Sequence, residues 1–224
     1  MDTAVHDGTA KRWLRVNLAA DYSLGTHGRS PMQNSLQLDN RHTGETLRLL
    51  RVRVGSEVVL DIEGGVPPKG EGPPLHIHLA QREEGMVLGG VLSGLVGRQR
   101  VRVHTGESSV FPAGVPHRWW NDGDQPLTFK GRVVPAGDLD QFLQGMFAVV
   151  NAGPPRRPPL FHLAHVLNRH SRTQRIAAVP APILKMLLPI VVFIGTLLGK
   201  YRGDTWPGAP ATCTGAPEVA IEDA

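Results

Sequence analysis

The sequence predicts a mainly β protein, a barrel or sandwich of short strands, followed by an α-helical C-terminal extension. Three observations carry this. Residues 46–134 break into short alternating or apolar runs punctuated by Gly and Pro. The hydrophobic period switches from two to 3.6 at Asp138. Finally, 26 glycines and 19 prolines among 224 residues favour turns and short strands over long helices. The length suits one domain with appendages and is ample for a real core.

Residues 1–38 are polar and weakly patterned and read as a loose N-terminal arm. The barrel is expected over 39–136, with eight strands at 47–54, 57–62, 74–79, 86–92, 100–104, 109–112, 117–121 and 126–134. In "RVRVH", Val101 and Val103 point to one face while Arg100, Arg102 and His104 point to the other, the pattern of a half-buried strand. The extension is expected over 137–203. Leu139, Phe142, Leu143, Met146, Phe147 and Val150 share one helical face, and Asp138 with Gln141 three residues later has the form of a capping box. "NAGPP" at 151–155 stops this helix, and 160–170 reads as a second, short one. The last 21 residues, rich in Pro, Ala and Gly, are expected to be disordered.

The net charge of +4 is unevenly spread. Residues 1–140 carry 16 basic and 16 acidic side chains; residues 141–203 carry eight basic and no acidic ones; the last 21 carry four acids and no base. A nucleic-acid binder spreads its bases over the folded core, so no nucleic-acid partner is expected. The single cysteine, Cys213, excludes a disulfide framework and a zinc–thiolate cluster. The first 25 residues lack the apolar run of a signal peptide, so a cytoplasmic location is expected. Residues 186–199 hold no charge but are broken by Pro189 and Gly195, a length that usually means a packed helix. The segment 180–199 is therefore expected to fold against the barrel or into a homodimer interface. Contact with an anionic membrane surface is the competing expectation, because all flanking charges are basic.

Two histidine stretches carry the chemistry. In "PPLHIHLAQREEGMVLGG" (73–90), His76 and His78 are two residues apart and face the same side of a strand, pre-spaced to chelate. Glu83, from the next strand, adds a carboxylate oxygen. In "GESSVFPAGVPHRWWN" (106–121), the tight turn "PAGVP" delivers His117 at the start of another strand. Three nitrogens and one oxygen leave one or two positions of an octahedral ion open. Taken alone, His-x-His equally fits histidines on a solvated or a satisfied core face.

The spacing resembles the two motifs of the cupin family. Gly70, His76, His78, Glu83 and Gly90 fall at the first motif's spacings, and Gly106, Pro112, Gly114, His117 and Asn121 at the second's. The likeness covers roughly residues 40 to 135. It extends to a subgroup of small bacterial, RmlC-like cupins of type 2, and the extension ending "LLGKYR" is similar to theirs. Gly85 and Gly89 depart from the pattern, standing where a large and an acidic residue are usual, and Glu84 beside Glu83 leaves a one-residue shift in ligand choice open.

The resemblance implies a jelly-roll β-barrel with a single divalent transition metal inside, of Fe, Mn, Ni, Cu or Zn, held by His76, His78, Glu83 and His117. Trp119, two residues past His117 on the same face, and Phe129 on the last strand are candidate pocket walls. Asn121 reads as a turn cap, and His162 with His165 lacks the carboxylate of a second metal site. The expected activity is that of a dioxygenase or isomerase acting on a small organic molecule. The alternative is a cupin that binds a metal or small ligand without turnover.

Overall fold

A computed structural model describes residues 29–31 and 35–202. The expected N-terminal arm up to residue 28 and the expected disordered tail beyond 202 lie outside the described residues. Two antiparallel sheets face each other. The strands are β1 (Arg29–Pro31), β2 (Leu36–Asp39), β3 (Thr46–Val54), β4 (Glu57–Val66), β5 (His76–His78), β6 (Arg82–Gly89), β7 (Val91–Val96), β8 (Gln99–His104), β9 (Ser108–Phe111), β10 (His117–Trp120), β11 (Leu127–Val134) and β12 (Gln174–Ile176). The larger sheet runs β1-β3-β4-β11-β6-β9, with β2 also on β3; the smaller runs β12-β5-β10-β7-β8. The helices are α1 (Leu139–Ala152), α2 (Leu160–Arg169) and α3 (Ala181–Leu197). The fold is a mainly β jelly-roll with a helical extension.

Alternation explains the core. On β11, Leu127, Phe129 and Val133 turn inward, while Lys130 and Arg132 turn outward and Arg132 Nε donates to Asp61 Oδ1 at 2.7 Å. Inward residues of both sheets, among them Leu49, Leu60, Val87, Val103, Phe111 and Trp119, form one apolar cluster. Val103 is buried and His104 exposed on β8, as the alternation of "RVRVH" requires. The run 86–92, expected as one strand, is two. Gly90 adopts φ +77, and a Cβ there would stand 2.5 Å from the Pro126 carbonyl oxygen, so glycine suits the position where the chain passes from β6 in one sheet to β7 in the other.

The extension is part of the barrel as well as beside it. β12, absent from the sequence reading, adds to the sheet edge next to β5, pairing Gln174 with His78 and Ile176 with His76. Buried Gln81 links the two parts: it donates to the Ala136 carbonyl at 2.8 Å and accepts from Gln174 at 2.5 Å. The expected capping box is not formed. Asp138 makes no side-chain cap; its carboxylate instead accepts from Thr173 Oγ1 and pairs with His170 Nδ1, each at 2.6 Å. These tertiary partners lie over thirty residues away and outcompete the local one. Arg51 of β3 grips Asp140 through two hydrogen bonds of 2.5 and 2.6 Å, seating α1 on the barrel. At the other end of α1, Asn151 donates to the Asp39 carbonyl and accepts from the Arg41 amide, which pins the β2–β3 turn.

The segment 180–199 is folded against the rest of the chain. It forms one helix with Pro189 inside, and it packs on α2 through one side only. Ile183, Met186, Leu187, Ile190, Phe193 and Leu197 are exposed along the other. No helix among the described residues is long and apolar enough to cross a membrane.

Candidate metal centre

His76 and His78 come from β5, His117 from β10 and Glu83 from β6, so both sheets contribute. The register sets His117 directly opposite His76 across the β5–β10 pair. The turn before β10 is tied to β5 by the Gly114 amide, which donates to the His78 carbonyl at 2.8 Å. One ligand-capable atom from each of the four side chains lies within 4.8 Å of all the others. The sequence expectation named these four residues, and the fold brings them together. Glu84, the neighbour left open, lies on the opposite face of β6 with its carboxylate 2.9 Å from Arg82.

Hydrogen bonds orient the rings. A carbonyl only accepts, so Nδ1 of His76 donates to the Pro74 carbonyl at 2.8 Å and Nδ1 of His117 donates to that of Val115 at 2.9 Å. Each ring therefore turns an Nε2 lone pair toward the centre. His117 Nε2 is buried without a hydrogen-bond partner, 3.6 Å from Glu83 Oε2. His76 Nε2 and His78 Nε2 stand 3.0 Å apart, and His78 Nε2 is 3.4 Å from the same carboxylate oxygen. Burial, then the His117 and His78 charges, push the His76 imidazole down to about 3, so it is neutral at physiological pH. Burial pushes the Glu83 carboxyl up, but the adjacent His117 and His78 imidazoles outweigh it and hold the group well below the usual carboxylate range. Three imidazole nitrogens and a carboxylate oxygen grouped around one point form a donor set suited to a cation. The buried, unpartnered His117 nitrogen is the observation that makes the fit.

The cluster opens into a cavity of about 190 Å³. Trp119 and Phe129, the two candidate wall residues, both line it, their ring centroids 5.0 Å apart. The apolar face of α1, with Phe142, Leu143, Met146 and Phe147, forms the outer wall. That face was legible as a helical stripe, but its destination was not. Asn121 lies outside the cavity. Its amide donates to the carbonyls of Val66, Pro67 and Gln125, and its oxygen accepts from the Gly123 amide, so it clips the turn after β10. His162 and His165 pack on Tyr201 instead. Among the described residues, no second cluster of potential metal ligands occurs.

One cavity residue escaped the sequence reading. Glu45 is 9% exposed and lines the same cavity. A signal existed: Glu45 is in phase with Leu47 and Leu49, the buried side of β3. An acid on an inward phase marks either a strand end or a site.

Fold and cluster together define a β-barrel protein with a histidine–carboxylate centre in its interior. The profile of the cupin domain family matches residues 63–134, and the chain contains a cupin domain. Among solved structures, the chain is similar to an RmlC-like cupin from Shewanella frigidimarina (14% identity, 50% of this chain and 98% of that one, TM-score 0.40). It is also similar to a sugar phosphate isomerase of the cupin superfamily from Silicibacter pomeroyi (25%, 39% and 58%, 0.33) and to the TT1209 protein from Thermus thermophilus (22%, 39% and 84%, 0.34). The chain thus spans just over half the length of the isomerase. No curated protein matches the chain.

Proposed function

We propose that His76, His78, Glu83 and His117 hold one divalent transition metal, and that the protein is a metal-dependent enzyme acting on a small organic molecule with a mainly apolar body. The observation that carries this is the convergence of three imidazoles, two of them held by backbone carbonyls, and one ionised carboxylate beside a mainly apolar cavity. A metal there would polarise a substrate oxygen or, if redox-active, support dioxygenase chemistry with O₂. The chain's own part is positioning. The carbonyls of Pro74 and Val115 fix two rings, Glu83 lends its negative charge, and Trp119, Phe129 and the α1 face exclude water and select an apolar body. The test is metal analysis of the wild type, His78→Ala and His117→Ala, followed by a substrate screen under air and under argon. The reading expects near-stoichiometric metal in the wild type and loss in both folded variants. Full retention in both would place the site elsewhere. Turnover under air alone would assign dioxygenase chemistry, turnover under argon isomerase or lyase chemistry, and stoichiometric metal without turnover the non-catalytic binding alternative.

The exposed face of α3 we assign to an anionic membrane surface, on the cytoplasmic side. Its 17 residues span about 25 Å, short of the roughly 30 Å hydrocarbon core, so the helix would lie in the interface. Residues 141–203 carry eight bases and no acid, which complements anionic lipid and opposes a second copy of the same face. The full chain should sediment with vesicles containing phosphatidylserine and not with phosphatidylcholine alone, and Phe193→Asp should abolish this. A stable dimer that ignores both vesicles, and that Phe193→Asp dissociates, would give the face to a second copy instead.

A further inference from the structure

We propose that Glu45 is the acid–base residue of this cavity, exchanging a proton with a small carbonyl compound held over the histidine cluster. This rests on the metal-centre reading and extends it by naming the reaction class, a proton-transfer isomerisation.

Three observations support it. First, the side chain is placed. Glu45 ends the β2–β3 hairpin, where the Asn40 amide donates to its carbonyl at 2.8 Å and its own amide donates to Thr43 Oγ1 at 3.3 Å. The C-terminus of α1 clamps the same turn through Asn151, and the Arg41 guanidinium donates to the Gly153 carbonyl. A group on so braced a hairpin holds its position, as proton transfer requires. Second, Glu45 is largely buried and stands in a cavity wall made mainly of apolar residues such as Leu47, Ile62, Phe147 and Val150, with no hydrogen bond or ion pair of its side chain among the described residues. A carboxyl held in a mainly apolar wall is a costly placement of the kind found at functional sites. Third, it lines the same cavity as His76, His78 and Glu83, so a small molecule that fills this cavity faces both.

Burial raises the Glu45 carboxyl to about 7, where both forms are populated and proton exchange in either direction is efficient. The titratable or charged groups lining the same cavity are His76, His78, Glu83 and Arg175. The step conserves atoms and electrons. The Glu45 carboxylate takes a proton from the carbon beside the carbonyl, and the C–H electron pair becomes the C=C bond of an enolate. The Glu45 carboxylic acid then gives the proton to the enolate oxygen, yielding the enol, and the reverse passage regenerates the carbonyl compound. Nothing is oxidised and no co-reactant is consumed.

The experiment has two arms. In the first, the full chain is labelled with ¹³C at the glutamate carboxyls and titrated by NMR without metal, Glu45 being assigned by its loss in Glu45→Gln. A signal titrating near neutral pH is expected; titration in the range of exposed glutamates overturns the proposal. In the second, metal-loaded wild type and Glu45→Gln are compared for solvent-deuterium exchange at the methylene of phenylpyruvate, an aromatic 2-oxo acid. A loss of about a hundredfold is expected in Glu45→Gln at unchanged metal content. Equal exchange in the two proteins, or none above background in the wild type, overturns the proton-transfer role. If the wild type holds no metal yet Glu45 titrates near neutrality, the metal reading fails and the acid–base group stands.

Discussion

Replacing Glu45 by Gln should change how stability depends on pH, by an amount the structure sets. Burial lifts this carboxyl from 4.5 to about 7, so the folded state favours its protonated form. For a carboxyl raised in this way, the contribution to stability is intact below about 4.5. It declines as pH rises, because the unfolded chain ionises first, and it is fully lost above about 7. The gap of roughly 2.5 pH units, at 1.36 kcal/mol each, amounts to about 3 kcal/mol. Glutamine keeps the shape and never ionises. Its own unpaired amide shifts the whole curve by a constant, so the slope is the diagnostic. Urea unfolding of metal-free wild type and Glu45→Gln at about pH 5, 6, 7 and 8 should show the variant gaining on the wild type by most of 3 kcal/mol across that range. Other titrating groups cancel in the difference. Two curves that stay parallel from pH 5 to 8 would refute the argument, because they would mean that Glu45 ionises as easily folded as unfolded.

Further outcomes follow from particular contacts. Glu83→Gln should lose more metal than Glu84→Gln by elemental analysis, since only Glu83 faces the three histidines; the reverse order would move the ligand by one residue. Arg51→Ala should cost about 3 kcal/mol by urea unfolding, because it strips the partner from the largely buried Asp140 carboxylate. A cost below about 0.5 kcal/mol would make the pair a surface contact of no weight. Gly64→Ala should cost about 1–3 kcal/mol, because a Cβ there would stand 2.3 Å from Phe129 Cζ. The displaced ring should change the fluorescence of Trp119, against which it packs; an unaltered spectrum with unaltered stability would contradict the close approach.

Much of the site could be read from the chain because its signals are local. His76 and His78 share a face by strand alternation, and Pro112 and Gly114 shape a corner within five residues of His117. The motif spacings supplied Glu83, and the 3.6 period from Leu139 predicted α1. Where the chain breaks between β6 and β7 was harder, since an apolar run through Gly89 and Gly90 looks continuous until the two halves pair in different sheets.

Tertiary structure decided what lies far apart in the sequence. β12 is three residues long with no pattern of its own, and it exists because the edge of β5 offers it partners about a hundred residues away. Asp138 looked like a cap, yet His170 and Thr173 take its oxygens. The stripe on α1 announced that something apolar would be covered, but not that it would wall a cavity lined by His76, His78 and Glu83. Glu45 shows the division most sharply. The sequence determined that an acid stands in phase with Leu47 and Leu49, a matter of period two along one strand. Only the closing of the barrel, with α1 laid against it, largely removed that carboxyl from water and placed it on the cavity that the cluster also lines, because burial belongs to the whole surface and not to any segment of it.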